Sequence, residues 1–130
     1  ATRPFPPGGP WGVAVDWQSD DPARRFHLAV AIDRADGVQV STFATHQDGL
    51  PPISGGTRHR FALRLDELPV VKGEFALYVF LLDEEGLHVY DQAVYHGAFR
   101  VDNDSYRTGL VALRHAWEAQ PANVETAAPV

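Results

Sequence analysis

The sequence has 130 residues, which is enough for one domain, and its 11 Lys or Arg against 17 Asp or Glu give a net charge of −6. The acidic charge disfavours nucleic acid or an anionic membrane as the main partner, and the absence of cysteine excludes disulfides, thiolate metal sites and cysteine nucleophiles. The chain starts at Ala1 and contains no methionine, so we expect it to be a piece of a longer protein.

The order of apolar runs and turn residues predicts a succession of short strands. Residues 1–10 contain four prolines and two glycines and are typical of a linker or a strand lead-in. Alternating or continuous apolar character predicts the next strands, at 12–17, 26–33, 38–45, 57–65, 74–82 and 87–95. Residues 99–101 continue or bend the last of these, and the alternation in 110–117 favours a final strand over a helix.

Seven or eight short strands without a convincing helical run are typical of an all-β fold, an antiparallel β-sandwich of the immunoglobulin-like or jelly-roll kind. We assign the sandwich to residues 11–118 and a flexible C-terminal tail to residues 119–130. The longest apolar run, residues 75–82, has eight residues, whereas a membrane-spanning helix needs about 20. We therefore predict a sandwich without a transmembrane segment.

The sequence lacks the motifs of the common catalytic and cofactor-binding sites. It has neither a Gly-x-x-x-x-Gly-Lys-Ser/Thr loop nor a Gly-x-Ser-x-Gly turn, and its six histidines form no close pair with metal-ligand spacing. The carboxylates of Asp83, Glu84 and Glu85 fall in one predicted turn, whereas a glycosidase needs a pair that faces across a cleft. We therefore predict no enzymatic activity, no metal and no cofactor.

The strongest indication of a binding site is a set of aromatic and polar side chains on strand faces. Tyr78 and Phe80 project from the central predicted strand on the face opposite its core residues. Sugar rings pack their apolar faces on aromatic rings, and their hydroxyls need polar side chains nearby. If the strand faces converge, one groove is lined by seven residues: His27, Gln39, Ser41, Phe43, Arg60, Tyr78 and Phe80. The alternative is that the two aromatic residues pack under a loop or against a partner subunit.

A series of motifs runs in order through residues 11–118. It comprises residues 30–38, Thr45, Gly49, 61–65, 68–75, 81–83, 86–91, 99–101, 109–111, His115 and Trp117. The series resembles the C-terminal domain of Wzt proteins, the ATP-binding subunits of ABC transporters that export polysaccharides such as O-antigen. The family usually has an ATP-binding domain ahead of this module and one more strand ahead of residues 5–8, and this sequence contains neither.

The resemblance implies a β-sandwich that binds carbohydrate on its concave sheet face and recognises the terminally modified end of an O-antigen-type polysaccharide for export. It also implies a homodimer formed by exchange of a C-terminal strand. The implied partners are the transporter permease and the ATP-binding domain, and the implied location is the cytoplasmic face of the bacterial inner membrane.

The leading hypothesis is therefore a non-catalytic carbohydrate-binding module. In it Tyr78, Phe80 or Phe43 stacks on sugar rings, and a set of polar side chains supplies hydrogen bonds: His27, Gln39, Ser41 and Arg60. Arg60, with Arg58 and Arg64 nearby in sequence, is also a candidate contact for an acidic or phosphorylated glycan end. The alternative hypothesis is a protein-interaction or dimerisation sandwich without affinity for sugar.

Overall fold

A computed structural model of the chain describes residues 2–119. Over that range the chain forms seven strands and no helix, and the strands lie in two sheets that pack together. The strands in chain order are β1 (Arg3–Phe5), β2 (Trp11–Gln18), β3 (His27–Arg34), β4 (Gln39–Ala44), β5 (Arg58–Leu65), β6 (Gly73–Leu82) and β7 (Val89–Val101). The predicted all-β sandwich is confirmed.

The two sheets are of unequal size. The larger has five strands in the order β1-β7-β6-β3-β4, and the smaller consists of β2 and β5. All neighbouring strands run antiparallel except β1, which lies parallel to the end of β7. Five strands cannot be covered completely by two, so part of the inner face of the large sheet is left without a second layer.

The core lies between the sheets and follows from the alternation of side chains along each strand. On β6, Phe75, Leu77 and Val79 are all buried, and Phe75 is completely inaccessible. The Phe75 ring stacks on that of Phe99 from β7 with a centroid distance of 5.0 Å, and Trp11 of the small sheet approaches Phe99 at 5.2 Å. These contacts join the two sheets through aromatic side chains.

The first difference from the sequence prediction is at the N-terminus. Arg3–Phe5, within the segment predicted as a linker or strand lead-in, forms β1 and pairs with residues 99–101. The Phe5 ring lies 5.8 Å from Phe99 and 6.5 Å from Trp11. The sheet therefore begins before residue 11, because the short strand has an aromatic side chain to bury and a free edge of β7 to pair with.

The second difference is at the C-terminus, where the predicted strand over 110–117 is wrong. Val111 forms only an isolated bridge with Val70, and the segment forms no strand within the described residues. Leu113 and Trp117 are 70% and 93% exposed. The alternation suits a strand, but a strand also needs a pairing partner, and within the described residues this segment joins neither sheet. The predicted tail, 119–130, lies outside the described residues apart from residue 119.

Three register shifts interrupt the pairing of the large sheet, and two of them lie close together and re-aim its side chains. Between β3 and β4, Ile32 pairs with Ser41 while the next residue, Asp33, pairs with Gln39, so β4 has one extra residue. Between β6 and β7, Phe75 pairs with Phe99 and Leu77 with Tyr95, which places residues 96–98 opposite a single residue of β6. These two lie at the end of the sheet where the β3–β4 hairpin turns, and the third, between Leu81 and Leu82 of β6, lies at the opposite end.

Candidate functional site

The outer face of the large sheet, the face opposite the core, carries the aromatic pair that the sequence singled out. Tyr78 and Phe80 are half-buried, and their partners on β3 are Ala31 and Ala29. The small alanine side chains leave shallow surface beside each aromatic ring. An aromatic ring beside a shallow floor is a suitable platform for the apolar face of a sugar ring.

His27 lies at one end of the outer face, where its side chain is only 4% exposed. Its Nδ1 atom is 2.8 Å from the Thr45 hydroxyl oxygen, and its ring centroid is 5.5 Å from that of His46. Burial lowers the pKa of His27, and a positive charge on His46 would lower it further. The residue predicted as a ligand contact is therefore placed as a buried, hydrogen-bonded histidine with almost no surface to offer a ligand.

The bulge in β4 separates three residues that the sequence analysis had placed on one face. Gln39 is exposed and pairs with Asp33 on the outer face. Ser41 pairs with Ile32, a core residue, and therefore lies on the inner side. Phe43 pairs with Val30 and packs against the core. The expectation that these three share a face is wrong, because the extra residue reverses the alternation between Gln39 and Ser41.

Arg60 lies on β5 in the small sheet, away from the outer face. Its Nη1 atom donates to both carboxylate oxygens of Asp16, its cross-strand partner, at 3.0 and 2.8 Å. Both side chains are well exposed, so the pair is a surface ion pair that balances the Arg60 charge. The seven predicted residues therefore do not converge on one groove, and only Gln39, Tyr78 and Phe80 remain accessible together on the outer face.

The structure reveals a pocket that the sequence analysis missed, which we call the outer cavity. It has a volume of about 240 Å³ and lies on the outer face beside Tyr78. Gly97 lies at its wall, and its charged and polar lining comes from Asp33, Arg34, Glu74 and His96. Asp33 and Glu74 have the strand parity of the outer face and could have been found from it. The contribution of 96–97 depends on the bulge in β7, for which a glycine inside a strand was the only sequence signal.

A second and larger opening, which we call the inter-sheet cleft, lies between the edge of β2 and the inner face of β6 and β7. Its volume is about 720 Å³, with residues 13–16 along one side and Leu77 and Val79 opposite. Tyr95 is 54% exposed there because the small sheet does not extend over it. Within residues 2–119, β2 pairs with β5 alone, so its other edge faces the cleft.

Two other kinds of site receive no support from the described part of the chain. Among residues 2–119 there is no group of three or more His, Asp or Glu side chains arranged to hold a metal ion. Over the same range no helix has the length and apolar character required to cross a membrane.

The comparisons with known proteins agree with the fold. No protein-family model matches the sequence, and no curated protein matches it. The structure is similar to the crystal structure of the C-terminal domain of Wzt, with a TM-score of 0.70 over 89% of this chain and 73% of that chain. The two chains share a fold. The sequence identity is 10%, so the resemblance drawn from the ordered motifs is confirmed at the level of the fold.

Proposed function

We propose that the chain is a non-catalytic carbohydrate-binding module that recognises the end of an O-antigen-type polysaccharide destined for export by an ABC transporter. The observation that carries the proposal is the pair of accessible aromatic rings, Tyr78 and Phe80, on an alanine-floored sheet face of a fold like that of the Wzt C-terminal domain. Stacking surfaces of this kind suit a ligand with apolar ring faces and many hydroxyls.

Binding on the outer face uses fewer of the predicted residues than the sequence suggested. Tyr78 and Phe80 stack on sugar rings, and the exposed Gln39 amide both donates and accepts hydrogen bonds at the rim. Ser41 and Phe43 support the sheet from the inner side. His27 holds the end of the outer face in place through its contact with Thr45. Arg60 takes no part, because it lies on the other sheet beside Asp16.

The cellular role follows from the resemblance. The module recognises the terminally modified end of the glycan. An upstream ATP-binding domain and a permease then carry out export at the cytoplasmic face of the inner membrane. Because the cargo must be released for the next cycle, we expect modest affinity, in the micromolar to millimolar range that corresponds to roughly 4–8 kcal/mol of binding free energy.

A titration of the full chain with several authentic O-antigen polysaccharides, followed by calorimetry and by backbone-amide NMR, tests the proposal. We expect shifts on the outer face and an affinity loss of about tenfold or more in Tyr78→Ala, the cost of one lost stacking contact. Tyr106→Ala is the matched control, since that side chain is completely exposed and lies off the sheet. Failure of every polysaccharide to bind, or an equal loss in both variants, would contradict the proposal.

We further propose that the module forms a homodimer in which the C-terminal segment of one copy pairs with the other. Two observations support it: β2 has an edge facing the inter-sheet cleft, and Leu113 and Trp117 are exposed on a segment that joins neither sheet within the described residues. Unpaired edges and exposed apolar side chains are both satisfied when such a segment adds to a sheet.

The same two observations favour the second candidate function, a dimerisation sandwich without affinity for sugar. Sedimentation of the wild-type chain and of Leu113→Ser, together with a glycan titration of each, separates the two candidate functions. We expect the variant to lose the dimer while its glycan affinity per chain stays within about twofold, a difference of less than ~0.5 kcal/mol. A dimer that binds none of the polysaccharides would favour the second function instead.

A further inference from the structure

The outer cavity is small, and its lining comes from the β3–β4 turn, from β6 and from the bulge in β7. Its volume of about 240 Å³ falls below the range of roughly 300–1,000 Å³ usual for drug-sized ligands, so it suits a single ring and not a chain. The bulge places 96–97 in its wall, and Gly97 adopts a φ of +57°. A Cβ at Gly97 would lie 3.3 Å from the Thr2 hydroxyl and 3.6 Å from a Glu74 carboxylate oxygen, so the absence of a side chain keeps this wall open.

One residue of the cavity lining has a side-chain oxygen without a hydrogen-bond partner. Oδ1 of Asp33 is buried, yet no donor within the described residues reaches it. Buried acceptors are nearly always satisfied, and a carboxylate oxygen is costly to leave without a donor. Asp33 also stands in the lining of the cavity, and because Oδ1 itself is covered, a ligand held there would donate to the other oxygen of this under-satisfied carboxylate.

The charges around the cavity select the kind of donor. Arg34 also lines the cavity, but its guanidinium donates to both oxygens of Asp36 at 2.8 and 2.9 Å, so its charge is balanced by that carboxylate. Glu74 is exposed and accepts a hydrogen bond from Thr2 at 3.3 Å. With Arg34 paired to Asp36, the carboxylates of Asp33 and Glu74 leave the lining with an excess of negative charge, and two carboxylates repel an anionic substituent while accepting hydrogen bonds from hydroxyls.

We propose that the outer cavity binds one uncharged sugar ring, whose hydroxyls donate to Asp33 and Glu74 beside the ring of Tyr78, and that it rejects sugars carrying a carboxylate. This rests on the proposed carbohydrate-binding function and names the ligand class and the position within it. It replaces the expectation of an acidic glycan end contacted by Arg60 with a neutral one contacted by carboxylates.

The test uses the full chain labelled with ¹⁵N and two matched sets of probes. The neutral set comprises the methyl glycosides of glucose, galactose and mannose, and the acidic set comprises the corresponding uronic acids. We expect at least one neutral glycoside to shift the amides of Asp33 and Gly97, and its uronic counterpart to bind about tenfold more weakly or not at all, since a charged hydrogen-bond partner typically changes affinity by that factor or more.

Two variants and one control assign the effect. Asp33→Asn removes the charge and halves the acceptor capacity, and Glu74→Gln does the same at an exposed position where folding is not at risk. We expect both to weaken the best neutral glycoside and to lessen the discrimination against its uronic acid. Asp66→Asn, at an exposed position of the connection between β5 and β6, makes the same charge change and should alter neither.

The outcomes separate this inference from the proposed function. If a neutral sugar or a polysaccharide binds but shifts only amides near Phe80 and Gln39, and Glu74→Gln has no effect, the inference is overturned while the proposed function stands. Uronic acids that bind as well as their neutral counterparts also overturn it. If neither the glycosides nor the O-antigen polysaccharides bind anywhere, both fail.

Discussion

The hydroxyl of Thr45 is the polar link that closes the end of the large sheet. It accepts a hydrogen bond from the Leu28 backbone N–H at 3.0 Å and lies 2.8 Å from Nδ1 of His27. Because the hydroxyl oxygen accepts from Leu28, its own proton is free to be donated to the neutral imidazole. Thr45→Val keeps the shape of the side chain and removes both interactions.

The expected cost follows from what the substitution leaves behind. Leu28 is 4% exposed, so its N–H loses its partner in a buried position, at a cost of about 1–3 kcal/mol. The equally buried His27 loses a neutral hydrogen bond worth about 1 kcal/mol. We therefore expect Thr45→Val to reduce the free energy of unfolding by about 2–4 kcal/mol, a large share of the stability of a single domain.

Urea unfolding monitored by tryptophan fluorescence measures the difference, with Thr42→Val as the control. Thr42 is an exposed residue of β4, so the same chemical change there should stay within about 0.5 kcal/mol. Equal effects of the two variants, or a loss below about 0.5 kcal/mol in Thr45→Val, would refute the assignment of the hydroxyl as a structural link.

Three further predictions concern stability. Burial lowers the pKa of His27 below its ordinary value of 6.5, so between the lowered pKa and pH 6.5 the unfolded chain binds more protons than the folded chain. The free energy of unfolding should be unaffected by this group above pH 6.5 and should fall as the pH drops from 6.5 through the lowered pKa. Urea unfolding at several pH values measures this dependence, and His27→Gln should remove it. Phe75→Ala, at a completely inaccessible position stacked on Phe99, should cost about 3–5 kcal/mol in the same assay, and a loss below about 1 kcal/mol would contradict the described core. Arg60→Gln should cost less than about 1 kcal/mol, because its ion pair with Asp16 is exposed, and the loss should shrink further in 1 M salt.

The sequence was most informative where a strand has a regular alternation and a partner on each side. Residues 74–82 were predicted as a central strand, and β6 spans Gly73–Leu82 between β7 and β3. The pattern failed at the ends of the large sheet. The segment at 110–117 alternates as well as any strand, yet alternation says nothing of which edge is free, and Arg3–Phe5 is too short and proline-rich to show a period.

The candidate site shows a different limit of sequence analysis. Tyr78 and Phe80 could be placed on one face because β6 is regular between them, but Gln39 and Ser41 could not be placed relative to each other. One extra residue in β4 changes which of the two faces outward, and a bulge of this kind leaves no reliable mark on composition. The outer cavity was missed for the same reason, since its wall is formed by a second bulge at 96–98.

The unequal sheets and the bulge in β7 together explain why two different openings occur in so small a protein. The small sheet ends at β2, so the inner face of β7 around Tyr95 stays open as the inter-sheet cleft. A few residues further on, the bulge turns the backbone so that 96–97 line both that cleft and the outer cavity. A regular strand separates its two faces completely, whereas a bulged glycine at this position gives both faces the same wall. A sugar on the outer face and a chain segment in the cleft would therefore contact the same two residues from opposite sides. The segment with the least regular geometry in the sheet is thus the one that both proposed partners depend on.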